Sequence, residues 1–381
     1  MTHRGRSRAS FSLGLCAVLV GPLSARAGDE EAQARAGAQA FRKAVVAGLE
    51  AGTLQKRLLQ RRIYFSEPSG EAQLTRVHGE TTATGFQLHV VFEELTKEAA
   101  KERESFNMLQ FSAAGRLVES RYREVSEGKA RSGVTRYPLE GKSEMTHRVA
   151  GKALTPKPIL RSYDPDSYPL YALLFLAPLV EEHLPQALHL ATGGSLSPVP
   201  YIHADVVGRL EVVRSGARAS ELRYRLGAEE WRVVLSDPRK IRCAPVGGGV
   251  SRSRMVEISP ADADALRARR PLLVREAQAA RLLMGLNGPQ GEHLRKRGRY
   301  ASDLAQLGLS KEQLATPGYR VTLRVSSDGG AWIALAEPVK PDKSGRYCFL
   351  IASDAFLLYR TKTPPKLPQD CTIPKGLEPL P

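Results

Sequence analysis

Residues 85–95, GFQLHVVFEEL, alternate with a period of two: Phe86, Leu88, Val90 and Phe92 fall on one face, Gln87 and His89 on the other. That spacing belongs to a strand with one buried face, because successive side chains of an extended backbone point to opposite sides. The same signature returns in RLEVV (209–213), ELRYRL (221–226) and EWRVVL (230–235), separated by Ser-Gly and Gly-Ala turns. Further short strands flank expected turns at Ala113-Ala114-Gly115 and Glu127-Gly128-Lys129. Short strands joined by close turns imply one antiparallel sheet.

Two stretches interrupt the strands with helical periodicity. Over 30–50, Ala34, Ala38, Phe41, Val45 and Leu49 recur at steps of three or four and leave Arg35, Arg42 and Lys43 outward. SYPLYALLFLAPLVEEHLPQALHL (167–190) is apolar enough for a buried helix, but Pro169, Pro178 and Pro185 must break it. Two or three short helices lying on the sheet are expected there. The class this predicts is α+β: an antiparallel sheet with covering helices, followed by a second, smaller helix-plus-meander domain.

The first 27 residues read as an export leader. Arg4, Arg6 and Arg8 precede an apolar stretch, Phe11–Leu23, and Ala25-Arg26-Ala27 offers small residues for cleavage before Gly28. The next apolar run, Leu170–Val180, falls well short of the about 20 residues a membrane-spanning helix needs. A periplasmic or secreted protein with no transmembrane segment after leader removal is expected. The formal charge of +16 falls by four, to +12, with the leader's arginines. Outside the cytoplasm such a surplus points to anionic envelope components, or another envelope protein, as partners. Nucleic acid is excluded, because the basic residues are scattered and lack interleaved stacking aromatics.

The glycines of APVGGGVSRSR (244–254) suggest a linker. The domains expected are a leader at 1–27, a β-rich domain at 28–245, a linker at 246–258 and a second domain at 259–381. After the linker a helix starts with Ser259 as cap, Pro260 in its first turn and Asp262 and Asp264 near its positive end. Pro271 divides this helix, and LNGPQG (286–291) interrupts it again. GYRVTLRVS then alternates, with Tyr319, Val321, Leu323 and Val325 inward. AWIALAEP, RYCFLI and AFLLYR complete a four-strand meander.

A helix followed by RGRYASDLAQLGLS, GYRVTLRVS, WIALAEP and SGRYCFLI resembles the globular domain of type IV pilins and pseudopilins. The resemblance implies a helix packed on an antiparallel sheet, and a disulfide pinning a C-terminal loop. Cys348 and Cys371 stand at the matching positions, and export supplies the oxidising compartment such a bond needs. The family's long apolar N-terminal helix and prepilin cleavage site are absent, so filament assembly is not implied. By its arrangement of helix, sheet and covering helices, the region 28–245 resembles the LolA-like lipoprotein carriers of the envelope. That likeness implies a lipid or other hydrophobic ligand.

No Gly-x-Ser-x-Gly elbow, His-Glu-x-x-His helix, phosphate loop or dinucleotide fingerprint occurs. GGSLS (193–197) lacks the second flanking glycine and reads as a loop tip. His183, His189 and His203 with Asp205 are the candidate metal ligands, since zinc takes three such groups plus water. The basic runs RKIR (239–242) and LRKRGRY (294–300) read first as solvated faces, with anionic surfaces as the alternative. Together these patterns predict an exported, non-enzymatic bacterial envelope protein with a binding or scaffolding role and no cofactor. The alternatives are hydrophobic-ligand carriage and a metal-dependent hydrolase built on the histidines.

Overall fold

The computed structural model describes residues 27–67, 72–96, 104–126, 129–137, 144–149, 152–153, 157–158, 168–193, 206–216, 218–226, 229–236, 239–245, 253–309 and 316–380. The predicted leader lies outside them except for Ala27, which opens the first helix. Helix α1 (Ala27–Glu50) forms where the three-and-four stepping predicts, and Ala34, Ala38, Phe41 and Val45 are buried. Gly52, at a left-handed φ of 69°, turns the chain into α2 (Thr53–Leu58), which buries Leu54 and Leu58.

A meander follows: β1 (Arg62–Ser66), β2 (Gln73–Thr82), β3 (Gly85–Glu94), β4 (Glu104–Ser112), β5 (Leu117–Ser126), β6 (Lys129–Arg136) and β7 (Glu144–Val149). The two-residue strands β8 (Lys152–Ala153) and β9 (Lys157–Pro158) both pair with β7. After β10 (Tyr168–Pro169) come α3 (Leu170–Leu176) and a 3₁₀ turn (Ala177–Leu179). A second meander continues through β11 (Ala187–Gly193), β12 (Val206–Ser215), β13 (Arg218–Leu226), β14 (Glu229–Val234), β15 (Lys240–Pro245) and β16 (Ser253–Ile258). The last of these pairs antiparallel with β1, so the two meanders fuse into one sheet of sixteen strands among the described residues.

That sheet cannot be flat. Helix α1 meets β11 at Gly37, where an added Cβ would lie 1.8 Å from the His189 carbonyl oxygen. Eight residues on, about 12 Å along the helix axis, Val45 packs against Gly115 in the turn after β4. Strands β11 and β4 stand nine places apart in the sheet, roughly 43 Å if it were flat. The sheet therefore curls around its helices, and α1 lies along the seam. Tyr168 of the edge strand β10 closes the gap: its hydroxyl donates to the Gly115 carbonyl at 3.0 Å, and its ring packs edge-on against Phe41 at 4.9 Å. Inside, residues from β1–β5 and β11–β16 join α1, α2, α3 and the 3₁₀ turn in one apolar core.

The α+β expectation is overturned. Among the described residues strands far outnumber helices, so the fold is mostly β. Part of the difference comes from 167–190, expected as helices alone. Only Leu170–Leu179 is helical; a turn and Pro185 follow, and 187–193 is β11, where Leu188 and Leu190 alternate inward. Of the stretch 246–258 read as a linker, 253–258 is β16 and the remainder lies outside the described residues.

Beyond the large sheet, Ser259 caps α4 (Pro260–Ala268) through its hydroxyl, which accepts from the Asp262 N–H at 3.1 Å. Pro271 sits in the first turn of α5 (Arg270–Gly285), and α6 (Asn287–Arg297) follows. A second antiparallel sheet is built from β17 (Tyr319–Val325), β18 (Trp332–Pro338), β19 (Cys348–Ala352), β20 (Ala355–Thr361) and the two-residue β21 (Glu378–Pro379). The chain thus has a two-domain-like layout. Strands β18 and β19 are buried on both faces: Trp332, Ala334, Phe349 and Ile351 pack with α5, while Ile333, Leu335, Cys348 and Leu350 pack with Leu367 and Cys371 of the C-terminal segment. Cys348 and Cys371 are free thiols in this structure, buried in the same small cluster.

Helices α4 and α5 also cover the outer wall of the large sheet. Ala263 and Leu273 pack on Leu74 and Leu95, Arg267 grips the Glu93 carboxylate with contacts of 2.9–3.1 Å, and Arg360 pairs with Glu67 at 2.7 Å. On that same wall His78 and His89 face each other across β2 and β3, their rings stacked at 4.7 Å, with Phe106 beside them. Burial first, then the neighbouring His89 and Arg61, hold the His78 imidazole below its ordinary value, against the pull of Glu80. A depressed value in the folded state means that the neutral ring is favoured there. Its stabilising contribution is present above about pH 6.5 and is lost as pH falls through the folded-state value. The unfolding midpoint should therefore drop between pH 7 and pH 5, and His78→Gln should flatten that drop in urea titrations. An unchanged pH slope in the variant would remove His78 from the explanation.

Candidate functional site

The interior of the curled sheet is apolar where the helices fill it, but charged groups cross it beneath the 3₁₀ turn. Strand pairing assembles them. Tyr64 stands opposite Glu257 on β16 and opposite Thr75 on β2, and the Glu257 N–H donates to the Arg239 carbonyl at 2.9 Å. Arg62, two residues before Tyr64, shares its face and hydrogen-bonds to its phenol oxygen. Arg239 reaches the Pro178 carbonyl at 3.5 Å, and the Phe175 ring lies 5.5 Å from that of Tyr64. At the rim, Arg57 donates to the Leu179 carbonyl at 2.8 Å and pairs with Glu181 at 2.9 Å and Glu182 at 3.5 Å.

The charges are unevenly paired: Arg57 engages both Glu181 and Glu182 directly, whereas Glu181 and Glu257 act on Arg239 only through space. Neither Arg62 nor Arg239 makes an ion pair among the described residues, although Arg62 is only 8% exposed and Arg239 is half-buried. Burial, then the repulsion of Arg62, lowers the Arg239 value. Burial, then Glu257, raises that of Tyr64, so its phenol stays a neutral O–H donor. A guanidinium drawn away from water without a direct ion-pair contact is costly. Two of them side by side form a site that a carboxylate or phosphate oxygen would stabilise through charge-assisted hydrogen bonds.

Other interior atoms lack partners as well. Thr75 Oγ1, Asn107 Nδ2 and Trp231 Nε1 are buried without a hydrogen bond; an unmade bond of this kind costs about 1–3 kcal/mol. All three side chains belong to the face that carries Tyr64 and the apolar core, since Thr75 pairs with Tyr64, Asn107 with Val90, and Trp231 with the core residue Tyr224. The interior therefore combines an extended apolar surface with a cationic pair and unused polar atoms.

The sequence-predicted residues fall elsewhere. His183 lies in the turn after the 3₁₀ segment with Glu182 at 3.4 Å, and His189 is on β11, its carbonyl under Gly37. His203 and Asp205 lie outside the described residues. Among the described residues no group of three or more His, Cys, Asp or Glu side chains is placed to hold a metal. Nor, among them, is any helix long and apolar enough to cross a membrane. Sequence reading missed Arg62 altogether and treated Arg239, within RKIR, as a solvated face. The signal that unites them is the non-local pairing of β16 with β1, which no local pattern carries. Comparison with known protein families, curated proteins and solved structures finds no match for this chain, so nothing in them bears on the pilin-like residue patterns or the LolA-like arrangement of elements.

Proposed function

We propose that this chain is an exported, non-enzymatic binding protein of the bacterial envelope, and that its curled sheet holds an amphiphile with an anionic head. The observation that carries this reading is the adjacent pair of buried Arg62 and half-buried Arg239, neither in an ion pair among the described residues, inside a largely apolar, helix-lined interior. The ligand's acid group would lie against the two guanidiniums and the Tyr64 hydroxyl. Its apolar body would replace contacts now made by α3 and the 3₁₀ turn, which acts as the lid. The surplus of basic residues supports encounter with anionic envelope components.

Trp231 reports on this interior, and the chain's other tryptophan, Trp332, belongs to the second sheet. In a Trp332→Phe background, oleate should change Trp231 fluorescence saturably. Arg62→Met should weaken oleate binding about tenfold or more, the worth of one charged hydrogen bond. Oleyl alcohol should bind wild type and Arg62→Met alike. Equal affinity of wild type for acid and alcohol would sink the assignment of the head-group site.

Export also bears on the two thiols. Because Cys348 and Cys371 share one buried cluster, an oxidising compartment would join them, closing a loop worth about 3 kcal/mol in the chain-entropy model. Protein recovered from the periplasm or medium, denatured without reductant, should then resist alkylation at both positions. Full alkylation of both would mean that the thiols stay free after export.

A further inference from the structure

The end of α6 carries a second feature, independent of the interior just described. Among the described residues, His293, Lys296, Arg297, Arg299 and Gln306 line an open groove of about 770 Å³, and none of these is a carboxylate. Lys296 is paired with Glu292 at 2.6 Å, whereas Arg297 and Arg299 make no ion pair among the described residues. The groove is built by fixed backbone. Gly298, at a left-handed φ of 71°, ends the helix and reverses the chain. The fully buried Gln290 side chain then clamps Ala301, donating to its carbonyl at 3.0 Å and accepting from its N–H at 2.9 Å. The His293 Nδ1–H donates to the Arg299 carbonyl at 2.9 Å, and the Tyr300 N–H donates to the Gly329 carbonyl at 3.0 Å. Arg297 at the end of α6 and Arg299 just beyond it thus stand on fixed backbone, which lowers the ordering cost of binding.

We infer that this groove is a binding site for a phosphate-bearing anion, with Arg297 and Arg299 as the principal ligands and Lys296 supplying further positive charge. Planar guanidiniums match phosphate oxygens in paired hydrogen bonds, and the open groove leaves room for a second phosphate or an organic group beside the first. A free phosphorylated solute and the phosphate of a lipid headgroup share this chemistry.

Two probes separate them. Inorganic pyrophosphate is titrated calorimetrically into the mature full-length chain at low ionic strength, and phosphatidylglycerol vesicles are co-sedimented with it against phosphatidylcholine controls. Arg297→Gln and Arg299→Gln should each weaken the binding observed about tenfold. Arg218→Gln, on β13 of the large sheet, should leave it unchanged. Pyrophosphate binding assigns the site to a soluble phosphate, and binding of the anionic vesicles alone assigns it to a headgroup. Binding of neither probe, or binding that Arg297→Gln and Arg299→Gln affect no more than Arg218→Gln does, would overturn the inference.

Discussion

Replacing Phe41 by alanine is expected to lower the unfolding free energy by about 3–5 kcal/mol, a large share of the roughly 5–15 kcal/mol that holds a typical domain together. The side chain is fully buried on the inner face of α1, so its removal leaves a cavity as well as losing transfer energy. It also supports the seam. The Phe41 ring packs edge-on against Tyr168, which in turn stacks near Phe111 and hydrogen-bonds to Gly115. Loss of Phe41 therefore loosens the contact that joins the β10 edge to the β4–β5 turn. Urea unfolding followed by far-ultraviolet circular dichroism measures the change. A loss below about 1 kcal/mol, the average for an ordinary substitution, would mean that the seam does not depend on α1.

Gly37→Ala should destabilise as well, although the same change in most helices helps. Alanine gains about 1 kcal/mol over glycine in a helix interior through propensity alone. Here the new methyl would lie 1.8 Å from the His189 carbonyl oxygen and 2.8 Å from its carbon, and both are backbone atoms that cannot swing away. Helix α1 must move off β11, and overpacking of this kind costs about 1–3 kcal/mol or more. Gly291→Ala in α6, where nothing lies within 4 Å of the added methyl, provides the contrast and should stabilise. If Gly37→Ala raised the unfolding midpoint as Gly291→Ala does, the close approach of α1 to β11 would be wrong, and with it the argument that the sheet curls.

Local order was legible wherever one period dominated. The alternation of 85–95 became β3 with Phe86, Leu88, Val90 and Phe92 in the core, and the stepping of 30–50 became α1. The start of α4 at Ser259 and the division at Pro271 followed from capping and from the missing proline N–H. What failed was non-local or mixed in signal. Residues 187–190 read as helix because dense leucines beside prolines hide a two-residue period. Residues 253–258 read as linker because the glycines before them drew the boundary too late. The fold class erred because each helix was weighed by its own pattern, whereas the pairing of β16 with β1 fuses two meanders into one dominant sheet. That pairing also creates the Arg62–Arg239 neighbourhood, so the site stayed invisible for the same physical reason as the fold.

Native mass spectrometry of the protein purified from the cells that make it tests the central reading most directly. Wild type should carry an added mass that organic solvent removes and that fragments to an acidic amphiphile, and Arg62→Met/Arg239→Met should fly without it. A wild-type spectrum at the bare polypeptide mass, or an adduct that both arginine substitutions leave in place, would contradict a cationic head-group site inside the curled sheet.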